Sequence, residues 1–304
     1  MRIYLTVDVE TYTGDYGLDV YGRHEGLDWL LALLRRQGVP ATFFVEAMGG
    51  ERWGREGIQG LRGSIEDAGG SVQLHVHPEV LAADAPCGMF HYDQQQQRDM
   101  LARGIDVLKG CGVKELTAFR AGDLAADMNT LDAMRDVGLC VGSNRDLDAK
   151  SSIQSRVNGC FPIANDVSTR DGVTDYPVTA CLSPFPWLDG TYRHMQITAM
   201  SCGEMCGALR AMARAGYRSA VVLTHPTEFF VRRGSACLPN AKNRRRIEQL
   251  IEFLGRREDM AWGVLDRMDA EEHHESPAQP LAIRLNRFHS LVRVVEQARA
   301  RLVG

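Results

Sequence analysis

The sequence lacks the features that mark membrane-spanning and secreted proteins. No apolar stretch in its 304 residues approaches the roughly 20 residues that a membrane-spanning helix needs. The N-terminal run MRIYLTVD is too short an apolar segment, and is charged too soon, to be a signal peptide. We therefore expect a cytoplasmic protein.

Neither the charge nor the cysteines indicate a specialised class. The formal net charge of −4 and a pI near 6.2 provide no overall attraction for nucleic acid, so we expect no nucleic-acid partner. The eight cysteines include no Cys-x-x-Cys pair. We expect them to be mostly reduced, small and buried side chains. With 44% hydrophobic and 24% charged residues, the chain has the composition of a globular protein with a sizeable core.

Short apolar runs alternate with longer amphipathic segments along most of the chain. The runs predict buried strands at 3–9, 41–46, 71–77, 116–119, 139–142, 219–224 and 260–264. The amphipathic segments predict helices at 25–37, 55–68, 93–109, 126–137, 202–215 and 241–256. Such alternation predicts an α/β fold with a mostly parallel sheet, and about seven strands in one chain favour a barrel.

Composition divides the chain further. Residues 143–200, rich in Asp, Ser, Pro and Gly, predict an irregular insert that shapes the active site of a barrel domain at 1–270. Residues 271–279 have the composition of a linker, in which we expect His273 and His274 to be solvated.

The last segment, 280–304, predicts a C-terminal amphipathic helix that is basic, with five arginines and one glutamate. Its apolar stripe consists of Leu281, Leu285, Phe288, Val292, Val295 and Leu302. Three roles remain open for this stripe: packing against the barrel, homodimerisation, and peripheral attachment to an anionic membrane.

Two histidines lie one residue apart in the segment Gln73-Leu74-His75-Val76-His77-Pro78. Residues two apart on a strand point to the same face, so His75 and His77 can direct both imidazoles at one point. Pro78 cannot join a sheet ladder and should end the strand, which leaves the pair at a loop-facing rim. Because neutral imidazole is a common zinc ligand, the pair is a candidate metal site.

The first predicted strand ends with a pair of carboxylates, Asp8 and Glu10, which also share one face. In a parallel barrel the reactive groups lie at the C-terminal ends of the strands, so the carboxylates and the histidines should meet at one rim. One carboxylate and two histidines form a catalytic metal set that leaves a coordination position for water. The second carboxylate is then free to act as general base.

Two further residues follow predicted strands and should reach the same rim. Arg120 lies in Phe119-Arg120-Ala121-Gly122, and a buried arginine beside an acid orients it and holds it ionised. His225 lies in Leu223-Thr224-His225-Pro226, where it suits a general acid for a leaving amine.

Five motifs occur in order over roughly residues 1–265: Thr6-x-Asp8-x-Glu10, Ala41-Thr42-Phe43-Phe44-Val45, Gln73-x-His75-x-His77-Pro78, Phe119-Arg120-Ala121-Gly122 and Leu223-Thr224-His225-Pro226. The ordered set resembles the polysaccharide deacetylases of the NodB-homology group, carbohydrate esterase family four, most closely a branch connected with lipopolysaccharide biosynthesis. This resemblance implies a distorted (β/α)7 barrel that holds one divalent metal ion and removes acetyl groups from an acetylated amino sugar.

The resemblance also implies a role for each candidate residue: general base for Asp8, metal ligands for Glu10, His75 and His77, a partner that fixes Asp8 for Arg120, and general acid for His225. Zinc is the expected metal, although iron, cobalt or nickel would also accept this set of ligands.

The chain departs from the family's pattern in its paired residues. The family separates its two histidines by three residues, whereas one residue lies between His75 and His77. Glu10 stands where the family has Asp, which leaves open whether Glu10 or Asp8 is the ligand. The family's motif that orients the acid histidine has no clear counterpart, and Asp175 in Thr174-Asp175-Tyr176-Pro177 is our candidate for that role.

Other functions also remain open. One is an amidohydrolase of the same fold that acts on a small cyclic amide or a formamide. A second is the hydrolase barrel that carries His-x-His on its first strand, which the position of His75 and His77 on the third predicted strand disfavours. A third is a metal-free barrel that binds a sugar or a protein partner.

Overall fold

Strands and helices alternate in the computed structural model, which describes residues 1–10, 25–50, 54–81, 84–147, 155–161, 165–234, 236–266 and 283–303. The strands are β1 (Arg2–Val9), β2 (Thr42–Glu46), β3 (Ser71–Val76), β4 (Ala118–Ala121), β5 (Val141–Gly142), β6 (Ser168–Arg170), β7 (Val173–Asp175), β8 (Ala180–Leu182), β9 (Tyr192–His194), β10 (Ser219–Thr224), β11 (Phe230–Arg233), β12 (Ala236–Pro239) and β13 (Ala261–Gly263).

The helices are α1 (Glu25–Gln37), α2 (Glu56–Asp67), α3 (Gln94–Gly110), α4 (Met128–Asp136), α5 (Pro186–Asp189), α6 (Cys202–Arg214), α7 (Ala241–Leu254) and α8 (Arg287–Val303). Every strand and helix predicted from the alternation is present, with ends that differ by at most two residues.

A nine-stranded sheet, curled into a half-barrel, forms the centre of the described structure in the order β10-β1-β2-β3-β4-β5-β7-β6, with β13 also paired to β1. Neighbouring strands in this order are parallel except β6 and β7. After β7 the chain reaches the far edge of the sheet, where Val178 pairs with Val221 of β10. This contact brings the two ends of the curled sheet together.

The alternation of side chains along β1 shows how the sheet separates two cores. Ile3 and Leu5 face outward into the large cluster between sheet and helices. Tyr4 faces inward. Thr6 and Asp8 lie on the same face as Tyr4, because every second residue of a strand points to the same side. The inner cluster also contains Phe44, Ala118, Val141, Val167, Tyr176, Val221 and Leu265. Apolar side chains therefore fill the base of the half-barrel, and polar ones line its C-terminal rim.

The helices cover the outer face of the sheet, and α1 illustrates why they form. It buries five leucines on one face, at positions 27, 30, 31, 33 and 34. Arg35 and Arg36 complement the negative end of the helix dipole. Gly38 ends the helix at φ 61°, a left-handed conformation that glycine adopts without strain.

The segment that we expected to be an irregular insert, 143–200, contains short strands between loops. Strands β6 and β7 form one antiparallel hairpin, and β8 and β9 form another. The second hairpin pairs with the C-terminal segment, because Leu182 N donates to Ile283 O over 2.8 Å and Leu285 N donates to Leu182 O over 3.0 Å. The insert thus joins the sheet to the chain that leads into α8.

The C-terminal helix α8 begins at Arg287, after an extended segment, rather than at the predicted position 280. The predicted linker at 271–279, with His273 and His274, lies outside the described residues. All eight cysteines are free thiols. Among the helices that the structure describes, none is long and apolar enough to cross a membrane.

Candidate active site

Adjacent parallel strands bring the candidate residues together at one rim of the sheet. Asp8 lies on β1 and Glu10 just beyond it, His75 lies on β3 and His77 just beyond it, Arg120 lies on β4, and His225 follows β10. Because these strands run in the same direction in the order β10-β1-β2-β3-β4, their C-terminal ends share this rim.

Three imidazoles point at a single carboxylate oxygen, Oε1 of Glu10. The Nε2 atom lies 3.2 Å away in His77, 3.6 Å in His75 and 3.9 Å in His225. One ligand atom from each of Glu10, His75 and His77 lies within 4.8 Å of the others, as a metal site requires. The one-residue spacing of the two histidines therefore brings them to one point, as strand alternation predicts.

His75 is held so that its Nε2 faces this point. Its Nδ1 atom lies 2.8 Å from the carbonyl oxygen of Arg120. A carbonyl can only accept a hydrogen bond, so Nδ1 carries a proton and Nε2 is the ring nitrogen that faces the site. That atom is buried and has no hydrogen-bond partner among the residues that the structure describes. A buried ring nitrogen of this kind fits a metal ligand whose other nitrogen is fixed by a backbone carbonyl.

His77 is oriented by a carboxylate that follows it in the chain. Its Nδ1 donates to Oε1 of Glu79 over 2.7 Å, an arrangement common behind metal-bound histidines. Burial lowers the pKa of His77, but its hydrogen bonds to Glu10 and Glu79 outweigh burial and place that pKa well above its ordinary value. Glu79 and Asp123 also lie within ligand distance of His77, and the Cys87 thiol donates to Asp123.

Glu10 is ionised in this arrangement. Burial raises the pKa of its carboxyl. The neighbouring His75, His77 and His225 lower that pKa by more than burial raises it, and leave it well below its ordinary value. The site thus presents one anionic oxygen beside the imidazoles of His75 and His77.

The second carboxylate, Asp8, is held by a buried arginine. Arg120 donates from Nη1 to Asp8 Oδ1 over 2.6 Å, and neither side chain is more than 6% exposed. Arg120 itself is fixed by two bonds to Ser143, to its carbonyl oxygen and its hydroxyl, and lies 4.4 Å from the centre of the Phe44 ring. The described residues give Asp8 Oδ2 no hydrogen-bond partner, so that oxygen can accept a proton.

His225 is oriented by Glu228, three residues further along the chain. Its Nδ1 donates to Glu228 Oε1 over 3.1 Å. Glu228 is itself held by Gln196 and by Thr224, whose hydroxyl donates to Oε2 over 2.8 Å. Burial lowers the pKa of His225, but the bond to Glu228 and nearby acidic charges raise it to about 9. At neutral pH the ring is therefore protonated and can donate from Nε2.

Asp175, our sequence candidate for orienting His225, lies elsewhere. It is fully buried and accepts from Nε of Arg145 over 2.9 Å and from the backbone N–H of Asn144. Because Arg145 needs a buried counter-charge, Asp175 belongs to an internal ion pair of the insert. Glu228 makes the contact that we assigned to Asp175.

Two more residues of the rim escaped the sequence analysis. Glu46, at the end of β2, is buried, and its carboxylate accepts from the backbone N–H groups of Met48 and Gly49. Gly122 lies so close to His77 that an added Cβ would be 2.6 Å from its Nδ1. The sequence gives no pattern that indicates Glu46 or Gly122. It does give one for Glu79 and Glu228, because His77 and His225 are each followed by a proline and then, one or two residues after the proline, by a glutamate.

Comparison with known proteins identifies the fold. No protein-family model and no curated protein matches the chain. A Mycobacterium smegmatis protein assigned as a polysaccharide deacetylase matches 99% of this chain and 90% of its own, with 17% sequence identity and a TM-score of 0.58. The fold is that of a polysaccharide deacetylase. The predicted distorted (β/α)7 barrel is therefore confirmed.

A second solved structure is the family 4 carbohydrate esterase of Streptomyces lividans in complex with acetate. It matches 92% of this chain and 98% of its own, with 16% identity and a TM-score of 0.47.

Proposed function

We propose that this protein is a metal-dependent N-deacetylase that removes the acetyl group from an acetamido sugar of a surface polysaccharide or its precursor. The observation that carries the proposal is the convergence of three imidazole Nε2 atoms on Glu10 Oε1, beside an arginine-bound Asp8. The deacetylase fold and the ordered motifs support the same reaction. The motifs further favour a role in lipopolysaccharide biosynthesis.

Glu10, His75 and His77 would hold the metal ion. The buried Nε2 of His75, which has no hydrogen-bond partner in the described part of the chain, and the ionised Glu10 fit that task. Their two nitrogens and one oxygen suit zinc, and iron, cobalt or nickel would accept them too. When bound, such an ion polarises an amide carbonyl and lowers the pKa of a bound water.

Asp8 supplies the general base. Arg120 occupies Oδ1 and fixes the plane of the carboxylate, which leaves Oδ2 to take the proton from the attacking water. Because Arg120 is itself bonded to Ser143, the base keeps its position during the reaction.

His225 supplies the general acid. Its Nε2 lies 3.9 Å from Glu10 Oε1, and Glu228 keeps the ring protonated at neutral pH. As the amide C–N bond breaks, His225 transfers its proton to the departing nitrogen, which leaves as the amine of the sugar. The acetyl group leaves as acetate.

Acetate release tests this function. Protein reconstituted with zinc should release acetate from an acetamido sugar supplied as a monosaccharide, an oligosaccharide or a nucleotide-linked sugar. Asp8→Asn is the matched control, because it removes the base and retains the shape of the side chain. We expect the rate to fall by about 10²–10⁴-fold in this variant.

Two outcomes would contradict the proposal. Hydrolysis of small cyclic amides or formamides without acetate release would favour the amidohydrolase. Sugar binding without hydrolysis of any of these substrates would favour the metal-free binding barrel.

A further inference from the structure

The C-terminal helix α8 packs against the barrel through its polar residues. Ser290 and Arg293, fully buried, both donate to Oε1 of Glu204, over 2.6 Å and 3.3 Å. On the same helix Glu296 pairs with the buried Arg246 over 2.8 Å. These contacts fix which face of α8 is turned toward the barrel.

The opposite face of α8 exposes its apolar residues. Phe288 is 69% exposed, Leu291 53%, Val292 40% and Val295 49%. Their spacing of three and four residues places them in one stripe along the helix. A surface helix usually buries such a stripe, so its exposure among the described residues indicates a contact with something outside them.

A second exposed apolar group lies at the tip of the β8–β9 hairpin, in α5. Trp187 is 80% exposed and Leu188 is 59% exposed. The hairpin is hydrogen-bonded at Leu182 to the segment that leads into α8. Of the large apolar side chains exposed in the described residues, all but Val231 and Leu238 belong to these two segments.

Cationic side chains lie beside this apolar stripe. Arg284 and Arg287 are exposed just before and at the start of α8. A cavity of about 600 Å³ between α6, α7 and α8 is lined by Lys242, Arg245 and Val292, and by Glu296, whose carboxylate is paired with Arg246. The cavity thus connects positive charge with the apolar stripe, as a site for a lipid phosphate would.

We propose that α8 and the hairpin tip, which we call the apolar face, bind the surface of an anionic phospholipid bilayer. The helix lies in the plane of the headgroups, its apolar stripe reaches the acyl boundary, and the nearby cations contact lipid phosphates. Trp187 is of the residue type enriched at membrane interfaces. A second copy fits less well, because a two-fold contact would bring the cations of both copies together. The proposal is independent of the proposed activity.

Sedimentation with vesicles tests this proposal. We expect the full chain to sediment with vesicles that contain phosphatidylglycerol and not with phosphatidylcholine alone, and the bound fraction to fall as salt is raised. Leu291→Ser combined with Val295→Ser should lower the bound fraction about fivefold or more. The matched control, Val231→Ser combined with Leu238→Ser, changes two exposed apolar residues of the β11–β12 hairpin and should leave binding unchanged.

The charges are tested in the same way. Lys242→Gln combined with Arg245→Gln should lower the fraction bound to anionic vesicles and make that fraction less sensitive to salt. The control, Arg35→Gln combined with Arg36→Gln at the end of α1, should change neither. The fluorescence of Trp187 should shift to shorter wavelength on binding, and Trp187→Phe should remove that shift.

Absence of sedimentation, or sedimentation that the Leu291/Val295 variant leaves unchanged, would overturn the proposal. A dimer that light scattering detects and that the same variant dissociates, without vesicle binding, would assign the face to a second copy.

Discussion

Arg120 donates to Asp8 over 2.6 Å, although the two are 112 positions apart in the sequence. The guanidinium also bonds to Ser143 and lies on the Phe44 ring. Each of its three nitrogens therefore has a hydrogen-bond acceptor, and one of its faces has an aromatic contact. A planar group with several donors can make these contacts together, and a lysine ammonium cannot. The position of Asp8 thus depends on the insert, which provides Ser143.

Replacement of Arg120 should affect both stability and turnover. Arg120→Met leaves Asp8 buried without its partner, which we expect to lower the free energy of unfolding by about 3–5 kcal/mol. Arg120→Lys keeps the charge and should lose less stability, but its kcat should still fall because Asp8 is no longer oriented. Urea denaturation and kcat measure the two effects. Equal stability of Arg120→Met and the wild type would show that the pair does not hold the site.

Glu79 should matter for metal affinity although it lies behind the ligand. Glu79→Gln weakens the acceptor for His77 Nδ1, and loss of such partners typically costs about 10–100-fold in metal affinity. Competition with a chelator measures the Kd for zinc. Glu66→Gln, which alters an exposed acid on α2, is the control. Equal zinc affinity of both variants would exclude this role for Glu79.

Gly122→Ala should displace His77 by contact alone. The new Cβ would lie under 3 Å from three atoms of the imidazole, which is anchored between Glu10 and Glu79 and cannot retreat without moving Nε2. We expect zinc affinity to fall about 10-fold. Gly63→Ala on α2, where an added Cβ meets no atom within 4 Å, should have no such effect. Unchanged zinc affinity of Gly122→Ala would contradict this packing.

The alkaline limit of activity should depend on Glu228. With a pKa of about 9, His225 is protonated at neutral pH, so activity should fall as the pH rises through about 9. Glu228→Gln removes the charge that raises this pKa, and the fall should move to lower pH. The dependence of kcat on pH measures this shift. An unchanged alkaline limit would show that His225 is not the acid, or that Glu228 does not control it.

Strand alternation explains why the centre of the site could be predicted from sequence. Asp8 and Glu10 lie two residues apart, as do His75 and His77, and each pair falls at a strand end marked by its own pattern. In a parallel sheet the C-terminal ends of these two strands lie at the same edge, and this does not depend on the helices that connect them.

The residues that orient the site depend on tertiary structure and were harder to predict. Asp175 ends the short strand β7 of the insert, but its partner Arg145 is known only once the insert is folded. Glu228 contacts His225 because a short 3₁₀ turn at Pro226–Phe229 returns the chain toward the rim. The packing of α8 was also not predictable, because the apolar pattern of a helix does not reveal an ion pair, such as Arg293–Glu204, that turns its polar face inward.

Metal content of four proteins tests the central claim most directly. Wild type and Asp8→Asn, purified with zinc and analysed by mass spectrometry, should each retain about one metal ion per chain, while Glu10→Gln and His75→Ala should lose it. This pattern would identify Glu10 as the metal ligand and Asp8 as the general base. Retention of metal at the wild-type level by His75→Ala, or its loss from Asp8→Asn but not from Glu10→Gln, would contradict the account.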